Sequence, residues 1–185
     1  MPFGCFRREL WHELGGLDET LHANEDYDFN YRARQRGRCV FLDPKIRSTY
    51  YARSTFGALA RQYFRYGWWK VQMLRKHPES LRWRQAVPAG FVMTLVILAL
   101  AGLPFPRAWE ALAVVLAVYV ATVTGTAISL CLREGGWGRI AALCAAFAIV
   151  HVCWGTGVLV NLLTGARWPY VAPARRERVA ASPVR

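Results

Sequence analysis

The chain of 185 residues divides into a charged half and an apolar half, with a formal net charge of +12 and 54% apolar residues. Residues 1–85 carry 16 Lys/Arg and 9 Asp/Glu, whereas residues 86–185 carry only 8 and 3. This distribution excludes a single, uniformly polar soluble domain and predicts a polar head joined to a hydrophobic segment. None of the five cysteines has metal-ligand spacing, which argues against a zinc site and favours free thiols in a head that faces the cytosol.

Two short helices are predicted in the first 40 residues. Apolar residues recur at helical spacing through residues 6–14, and Gly15-Gly16 follows as a stop signal. Asn24 is a candidate N-cap for a second helix, because three acids stand in the turn after it and complement the helix dipole. That helix is expected to end near Gly37.

Two strands and a long helix are predicted next. Residues 39–42 read as a short buried strand that ends at Asp43-Pro44, and residues 46–51 alternate as a second strand. Residues 56–76 then predict a long helix that ends before His77-Pro78.

Three apolar runs follow, at residues 86–103, 108–132 and 140–163, and Glu110 is their only charged residue. Each run approaches or exceeds about 20 residues, the length that spans the hydrocarbon of a bilayer. They leave no polar face for water, so transmembrane helices are favoured over a buried soluble bundle. Ionisable groups within such runs, here Glu110 and His151, are candidates for a functional role. A purely structural role explains both residues equally well.

Basic residues beside these runs predict the orientation. Residues 45–85 hold 10 Lys/Arg and one acid, which places the head on the cytoplasmic side. Three full crossings would put the Arg-rich residues 166–185 on the outer side of the membrane. That position contradicts the tendency of basic residues beside membrane segments to stay on the cytoplasmic side. Two alternatives stay open: the third run folds back as a re-entrant hairpin at Gly155 and Gly157, or the first run lies along the interface. Because membrane orientation accounts for the basic residues, nucleic-acid binding ranks low.

Residues 24–32 are the part of the head where catalytic chemistry is expected. Their carboxylates stand at a predicted helix start, and a carboxylate among hydrogen-bond donors suits a general base toward a hydroxyl group. Capping and dipole complementation explain the same acids without catalysis. Asp26-Tyr27-Asp28 also has the D-x-D form of a metal motif, but no hydrophobic strand precedes it, so no metal site is assigned.

The predicted helix at residues 56–76 is basic and aromatic. Such a helix suits a membrane interface, with aromatic side chains at headgroup depth and basic residues on anionic lipid. Gln62, Arg65 and Trp69 share one face of it. A glutamine and an arginine one turn apart, beside aromatic rings, also suit a diphosphate and a sugar.

Several motifs stand in order along the head. They are Phe6-Arg7-Arg8-Glu9, Leu14-Gly15-Gly16-Leu17-Asp18-Glu19, Asn24-Glu25-Asp26-Tyr27-Asp28-Phe29, Arg32 and Gln62-Tyr63-Phe64-Arg65-Tyr66. This order resembles the acceptor-side half of family 2 GT-A glycosyltransferases, with Tyr66 where their Q-x-x-R-W motif has tryptophan. Together with the basic helix and the apolar runs, it is similar to bacterial exopolysaccharide transferases of the succinoglycan-biosynthesis type. The likeness covers about residues 3–80.

The resemblance implies inverting transfer of a sugar from a nucleotide-sugar donor to a lipid-linked or polysaccharide acceptor, in the synthesis of cell-surface polysaccharide. Asp26 corresponds to the general base, and Glu25 to its neighbour in the acidic pair. Gln62 and Arg65 correspond to residues that line the donor diphosphate and acceptor region. The predicted substrate-binding set is completed by Arg32, Tyr66 and Trp69.

The resemblance also implies an α/β head, a partial GT-A fold with only the acceptor-side half, followed by an α-helical transmembrane region. The expected parts are the partial GT-A region (1–55), a basic aromatic interfacial helix and linker (56–85), transmembrane helices (86–165) and an Arg-rich flexible tail (166–185). The location implied is the inner (plasma) membrane, crossed several times, with the head on the cytoplasmic side.

Members of that family hold a divalent metal, Mg²⁺ or Mn²⁺, in a nucleotide-binding half that has no counterpart in this sequence. The chain is therefore expected to be a carboxy-terminal portion that is inactive without that half. Three alternatives stay open: a truncated open reading frame, a fragment, or a split subunit whose missing half a separate chain supplies. The alternative from another functional class is a non-catalytic membrane adaptor, whose basic helix binds anionic lipid or a partner protein.

Overall fold

Helices make up the regular structure in the residues that the computed structural model describes, which are 4–47, 49, 51 and 53–165. Short 3-10 turns at Pro78–Ser80 and Trp137–Arg139 precede the fourth and the sixth of the α-helices. In chain order the α-helices are α1 (Arg8–Leu14), α2 (Glu25–Gln35), α3 (Phe56–Lys76), α4 (Trp83–Ala101), α5 (Arg107–Glu134) and α6 (Ile140–Thr164).

The predicted α/β head, a partial GT-A fold, is wrong, because the described part of the head contains helices and loops and no strand. Residues 39–42, predicted as a buried strand, form a loop in which Phe41 is 81% and Leu42 is 69% exposed. A strand requires a neighbour that pairs its backbone N–H and C=O groups, and no described segment pairs with this one. The described positions of residues 46–51 also lack β structure, while Ser48 and Tyr50 lie outside the described residues.

The predicted helices of the head are confirmed. Gly15 ends α1 with φ 71°, a left-handed conformation that glycine adopts without strain. The helix predicted at 56–76 is α3, and the Thr55 side chain caps it by accepting a hydrogen bond from the Ala58 N–H. Asn24 is the N-cap residue of α2, as predicted, but with φ 68° its side chain makes no capping hydrogen bond.

Within the described residues, three helices are long and apolar enough to cross a membrane, at Trp83–Ala101, Arg107–Glu134 and Trp137–Thr164. Many of their large apolar side chains are exposed, including Val96, Leu100 and Val114, as expected for surfaces that face lipid. These features indicate a membrane protein. Helix α6 runs without a break through Gly155 and Gly157, so the re-entrant alternative is wrong. The predicted tail at 166–185 lies outside the described residues.

The head is fixed to the membrane segment by close packing of α3 on α6. A Cβ at Gly67 of α3 would overlap the carbonyl O of Trp154, and one at Gly157 of α6 would overlap the carbonyl O of Phe64. Glycines at a helix crossing allow this backbone approach. Beyond the crossing, the Gln72 Nε2 donates to Oδ1 of the buried Asn161 at 3.4 Å. Helix α3 therefore packs directly on an apolar helix.

Candidate functional site

Asp28 connects α2 to the segment that follows α3. Its carboxylate is 1% exposed, and Oδ2 accepts a 2.8 Å hydrogen bond from the Nε of Arg32. The Nε2 of His77 lies 2.9 Å from the other oxygen, Oδ1. Arg32 also donates to the carbonyl oxygens of Leu14 at 2.6 Å and Gly16 at 2.8 Å. Because Arg32 joins α2 to the end of α1, its contacts in this structure are internal to the head.

Further polar contacts fix α2 and its preceding loop onto the end of α3. The Tyr31 hydroxyl donates to Oε1 of Glu79 at 2.5 Å, and this hydrogen bond lowers the pKa of the Glu79 carboxyl. Asp18 forms an ion pair with Lys76. Burial alone would raise the pKa of Asp18, but hydrogen bonds from Lys76 and Thr20 outweigh it and lower the pKa to about 2.

The two predicted catalytic carboxylates begin α2. Asp26 is half-buried, and its Oδ1 accepts a 2.7 Å hydrogen bond from the backbone N–H of Tyr27. The Oε2 of Glu25 is buried without a hydrogen-bond partner among the described residues. A buried polar atom of this kind is costly unless something else satisfies it. The catalytic roles of both carboxylates stay predictions.

The structure brings two of the four predicted α3 residues into direct contact. The Gln62 Nε2 donates to the Tyr66 hydroxyl at 2.8 Å, while the Nε of Arg65 is buried without a hydrogen-bond partner in the described part of the chain. Trp69 is buried with its ring edge-on to His22, at 5.2 Å between centroids. Trp69 thus belongs to the core that holds the loop before α2, and the substrate-binding roles of all four residues stay predictions.

A cavity of about 370 Å³ lies where the head meets the membrane segment. Residues from four parts of the structure line this open cavity: the start of α2, the middle of α3, the start of α4 and the middle of α6. The lining residues are Asn24, Tyr27, Tyr63, Lys70, Arg84, Gln85, Pro88, Val150, His151 and Trp154. Asn24 and Tyr27 stand on either side of the acidic pair in the sequence, so the predicted catalytic segment borders this cavity.

Lys70 is the lining residue that sequence reasoning missed. Its side chain is almost wholly buried, at 4% exposure for the residue, and its Nζ lies 4.2 Å from the ring centroid of Tyr27. Burial, followed by the nearby charge of Arg82, lowers the pKa of Lys70 to about 8. One feature of the sequence could have identified Lys70. It lies one turn after Gly67 and next to Val71, so it places a positive charge beside the apolar face of α3.

The residues present do not fit the divalent metal that the resemblance implies. Within the described ranges, no group of three or more His, Cys, Asp or Glu side chains could hold a metal ion. In the Asp26-Tyr27-Asp28 sequence, both oxygens of Asp28 are engaged by Arg32 and His77. The divalent metal expected for the complete enzyme stays a prediction.

Comparison with known proteins gives two relatives, whereas no family model and no solved structure matches the chain. The chain is 28% identical over 158 residues to the succinoglycan biosynthesis protein ExoA of Rhizobium meliloti (strain 1021), which covers 85% of this chain and 46% of that protein. It is 30% identical over 87 residues to a dolichyl N-acetyl-alpha-D-glucosaminyl phosphate 3-beta-D-2,3-diacetamido-2,3-dideoxy-beta-D-glucuronosyltransferase of Methanococcus voltae, covering 47% of this chain and 26% of that one.

These matches support a glycosyltransferase relationship. The chain spans about half the length of the first relative and about a quarter of the second. The finer assignment to family 2 stays a prediction.

Proposed function

We propose that this chain forms the acceptor side and membrane anchor of a family 2 glycosyltransferase that builds cell-surface polysaccharide. The observation that carries the proposal is the 28% identity to a succinoglycan biosynthesis protein across 85% of the chain. The second relative is named as a transferase that acts on a dolichyl phosphate-linked sugar, which favours a lipid-linked acceptor. The donor in this proposal is a nucleotide sugar.

Asp26 is the general base in this proposal. Its carboxylate takes the proton of an acceptor hydroxyl, whose oxygen then bonds to the anomeric carbon of the sugar as the nucleoside diphosphate leaves with the electrons of the broken C–O bond. Attack from the face opposite the leaving group inverts the configuration at that carbon. The support from the fold is that Asp26 lies in the first turn of α2, between Asn24 and Tyr27 in the sequence. Both of these neighbours line the cavity where the head meets the membrane segment, which we call the junction cavity.

The remaining site residues contact or position the substrates. Gln62 and Arg65 bind the diphosphate and acceptor region, and the hydrogen bond from Gln62 orients the Tyr66 ring beside it. Trp69 packs under the loop that leads to Asp26, where His22 contacts it. Arg32 acts by holding Asp28 and the end of α1 in place.

The membrane helices hold this site at the surface where a lipid-linked acceptor is found. Helices α3, α4 and α6 line the cavity together, and two of these are long and apolar enough to span a bilayer. The excess of basic residues over residues 45–85 favours a head on the cytoplasmic side of the inner membrane. Nucleotide sugars are available on that side.

The test is sugar transfer in membranes that contain the chain fused to the part of the Rhizobium relative that it does not match. Asp26→Asn removes the base with little change of shape, so labelled sugar should cease to enter the lipid or polysaccharide fraction. Asp43→Asn, an equal change in a loop, is the control and should transfer normally. Full transfer after Asp26→Asn would refute the catalytic assignment. If function also survives replacement of Gln62 and Arg65 by alanine, the chain is a non-catalytic adaptor.

A further inference from the structure

The junction cavity combines two chemically different sets of lining residues. Its polar set comes from the head and the first turn of α4, and includes Asn24, Lys70 and Arg84. Its apolar set comes from within the apolar helices, and includes Pro88, Val150 and Trp154. A ligand that matches both sets has a polar group and a hydrocarbon part.

Lys70 indicates the charge of that polar group. A buried ammonium is costly unless an anion or several acceptors surround it. The described contacts of its Nζ are the face of the Tyr27 ring and the Sδ of Met73 at 3.9 Å, and neither carries a negative charge. The quadrupole of the ring offsets only part of the cost of burying the ammonium. An anionic ligand would offset the rest.

A second cation lines the same cavity. Arg84 stands in the first turn of α4, and none of the described lining residues is an aspartate or a glutamate. Arg82, two residues before Arg84, is the charge that acts on Lys70, so the positive groups around this cavity favour an anion there. The guanidinium of arginine presents paired N–H donors that match the oxygens of a phosphate, and the lysine adds a compact point charge.

The apolar lining indicates where this anion comes from. Pro88 belongs to α4, and Val150 and Trp154 belong to α6, both of which are long and apolar enough to cross a membrane. A free phosphate ion would gain nothing from these side chains, whereas the first methylenes of a lipid chain would be removed from water against them. The two sets of lining residues together match a lipid phosphate.

We propose that the junction cavity binds the phosphate group of a membrane-anchored lipid phosphate through Lys70 and Arg84. This inference deepens the proposed function, and it rests on that function for the view that the lipid phosphate carries the acceptor sugar. The lipid chain leaves the cavity along Pro88, Val150 and Trp154. The phosphate end is then held near the start of α2, where Asp26 stands.

The test is binding of dodecyl phosphate to the purified chain in micelles of a maltoside detergent, which contains no phosphate, and binding is measured by the change in tryptophan fluorescence. Lys70→Met keeps the side-chain volume and removes the charge, and Arg84→Gln removes the second charge at an exposed position. Each change should weaken binding about tenfold or more, as expected for the loss of one charge-assisted contact. Lys45→Met and Arg107→Gln, at exposed positions away from the cavity, should bind as the unmodified chain does.

Two further ligands test whether the site requires both the phosphate group and the hydrocarbon chain. Inorganic phosphate and dodecanol should each bind at least about tenfold more weakly than dodecyl phosphate, since each meets only one set of lining residues. Equal binding of inorganic phosphate would overturn the lipid assignment, and equal binding of dodecanol would overturn the phosphate contact. Unchanged affinity in both Lys70→Met and Arg84→Gln would overturn the site itself.

Circular dichroism and the thermal midpoint of each variant show whether it has folded. If Lys70→Met fails to fold, the exposed Arg84→Gln decides the outcome. No nucleotide sugar is present in this assay. If dodecyl phosphate does not bind, the lipid phosphate site is refuted and the transferase function is unaffected. If it binds but the fused protein transfers no sugar, the transferase function is refuted and the lipid phosphate site is unaffected.

Discussion

Replacing Gly67 by alanine should separate α3 from α6. The added Cβ would overlap the carbonyl O of Trp154 and would lie 3.1 Å from the backbone N of Val158, so neither obstacle is a flexible side chain. Backbone cannot move aside without opening the helix crossing. Overpacking of this kind costs about 1–3 kcal/mol, and we expect the value for Gly67→Ala toward the upper end of that range.

Gly57→Ala is the matched control in the same helix. A Cβ at Gly57 meets nothing within 4 Å, so the substitution adds only helix propensity. That gain is at most about 1 kcal/mol, and less near the first turn of a helix. The two alanine variants should therefore shift stability in opposite directions.

Stability is measured by reversible unfolding in mixed detergent micelles, with the far-ultraviolet circular dichroism of the helices as the signal. Gly157→Ala adds a second test, because its Cβ would overlap the carbonyl O of Phe64 at the same crossing. Once one substitution has separated the helices, the second should cost less, so the double variant should lose less than the sum of the two. The packing argument is refuted if Gly67→Ala and Gly57→Ala are equally stable.

Two further predictions concern the charged groups of the head. Arg32→Met removes one partner of the buried Asp28 and leaves His77 as the other, so the cost should be at the lower end of about 3–5 kcal/mol. Arg34→Met, at an exposed position, should be near neutral. Equal unfolding midpoints of the two variants would contradict the role of Arg32 in holding Asp28. The pKa of Lys70 is about 8 in the folded chain and 10.5 in its ordinary state, so the unfolded chain binds more protons between these values. Stability should therefore rise from about pH 8 to pH 10.5, and Lys70→Met should abolish this rise in a pH series of unfolding curves.

The helices could be predicted from local signals in the sequence. Thr55 caps α3 and His77-Pro78 ends it, and the bounds of that helix match the prediction at both ends. Gly15 ended α1 as expected because the left-handed backbone there favours glycine. The apolar runs predicted the bounds of α4, α5 and α6 to within a few residues, because length and lack of charge suffice to identify such helices.

The strands could not be predicted in the same way. Residues 39–42 have the composition of a strand, but a strand also needs a partner, and composition carries no information about one. The glycines of α6 show a related difficulty. Gly155 and Gly157 suggested a break, yet they admit the backbones of α4 and α3, and a sequence does not distinguish a glycine that bends a helix from one that admits a neighbour.

The cavity was hidden from the sequence because its residues come from distant segments. Tyr27, Lys70, Arg84 and Trp154 meet only after α3 has packed on α6, and no spacing rule joins them. The acidic pair at the start of α2 was visible as a pattern, whereas the buried cation that borders the same cavity was not. A search for charged residues on the apolar face of α3 would have found Lys70.

The central claim is that sugar transfer takes place where the head meets the membrane, and a steady-state measurement with an acceptor sugar that is joined to a lipid phosphate tests it most directly. In the fused, membrane-embedded protein, Asp26→Asn should lower kcat by at least about 100-fold, the lower end of a general base's contribution, with little change in KM for the lipid. Lys70→Met should instead raise that KM about tenfold or more. Unchanged kinetics in both variants would contradict the account.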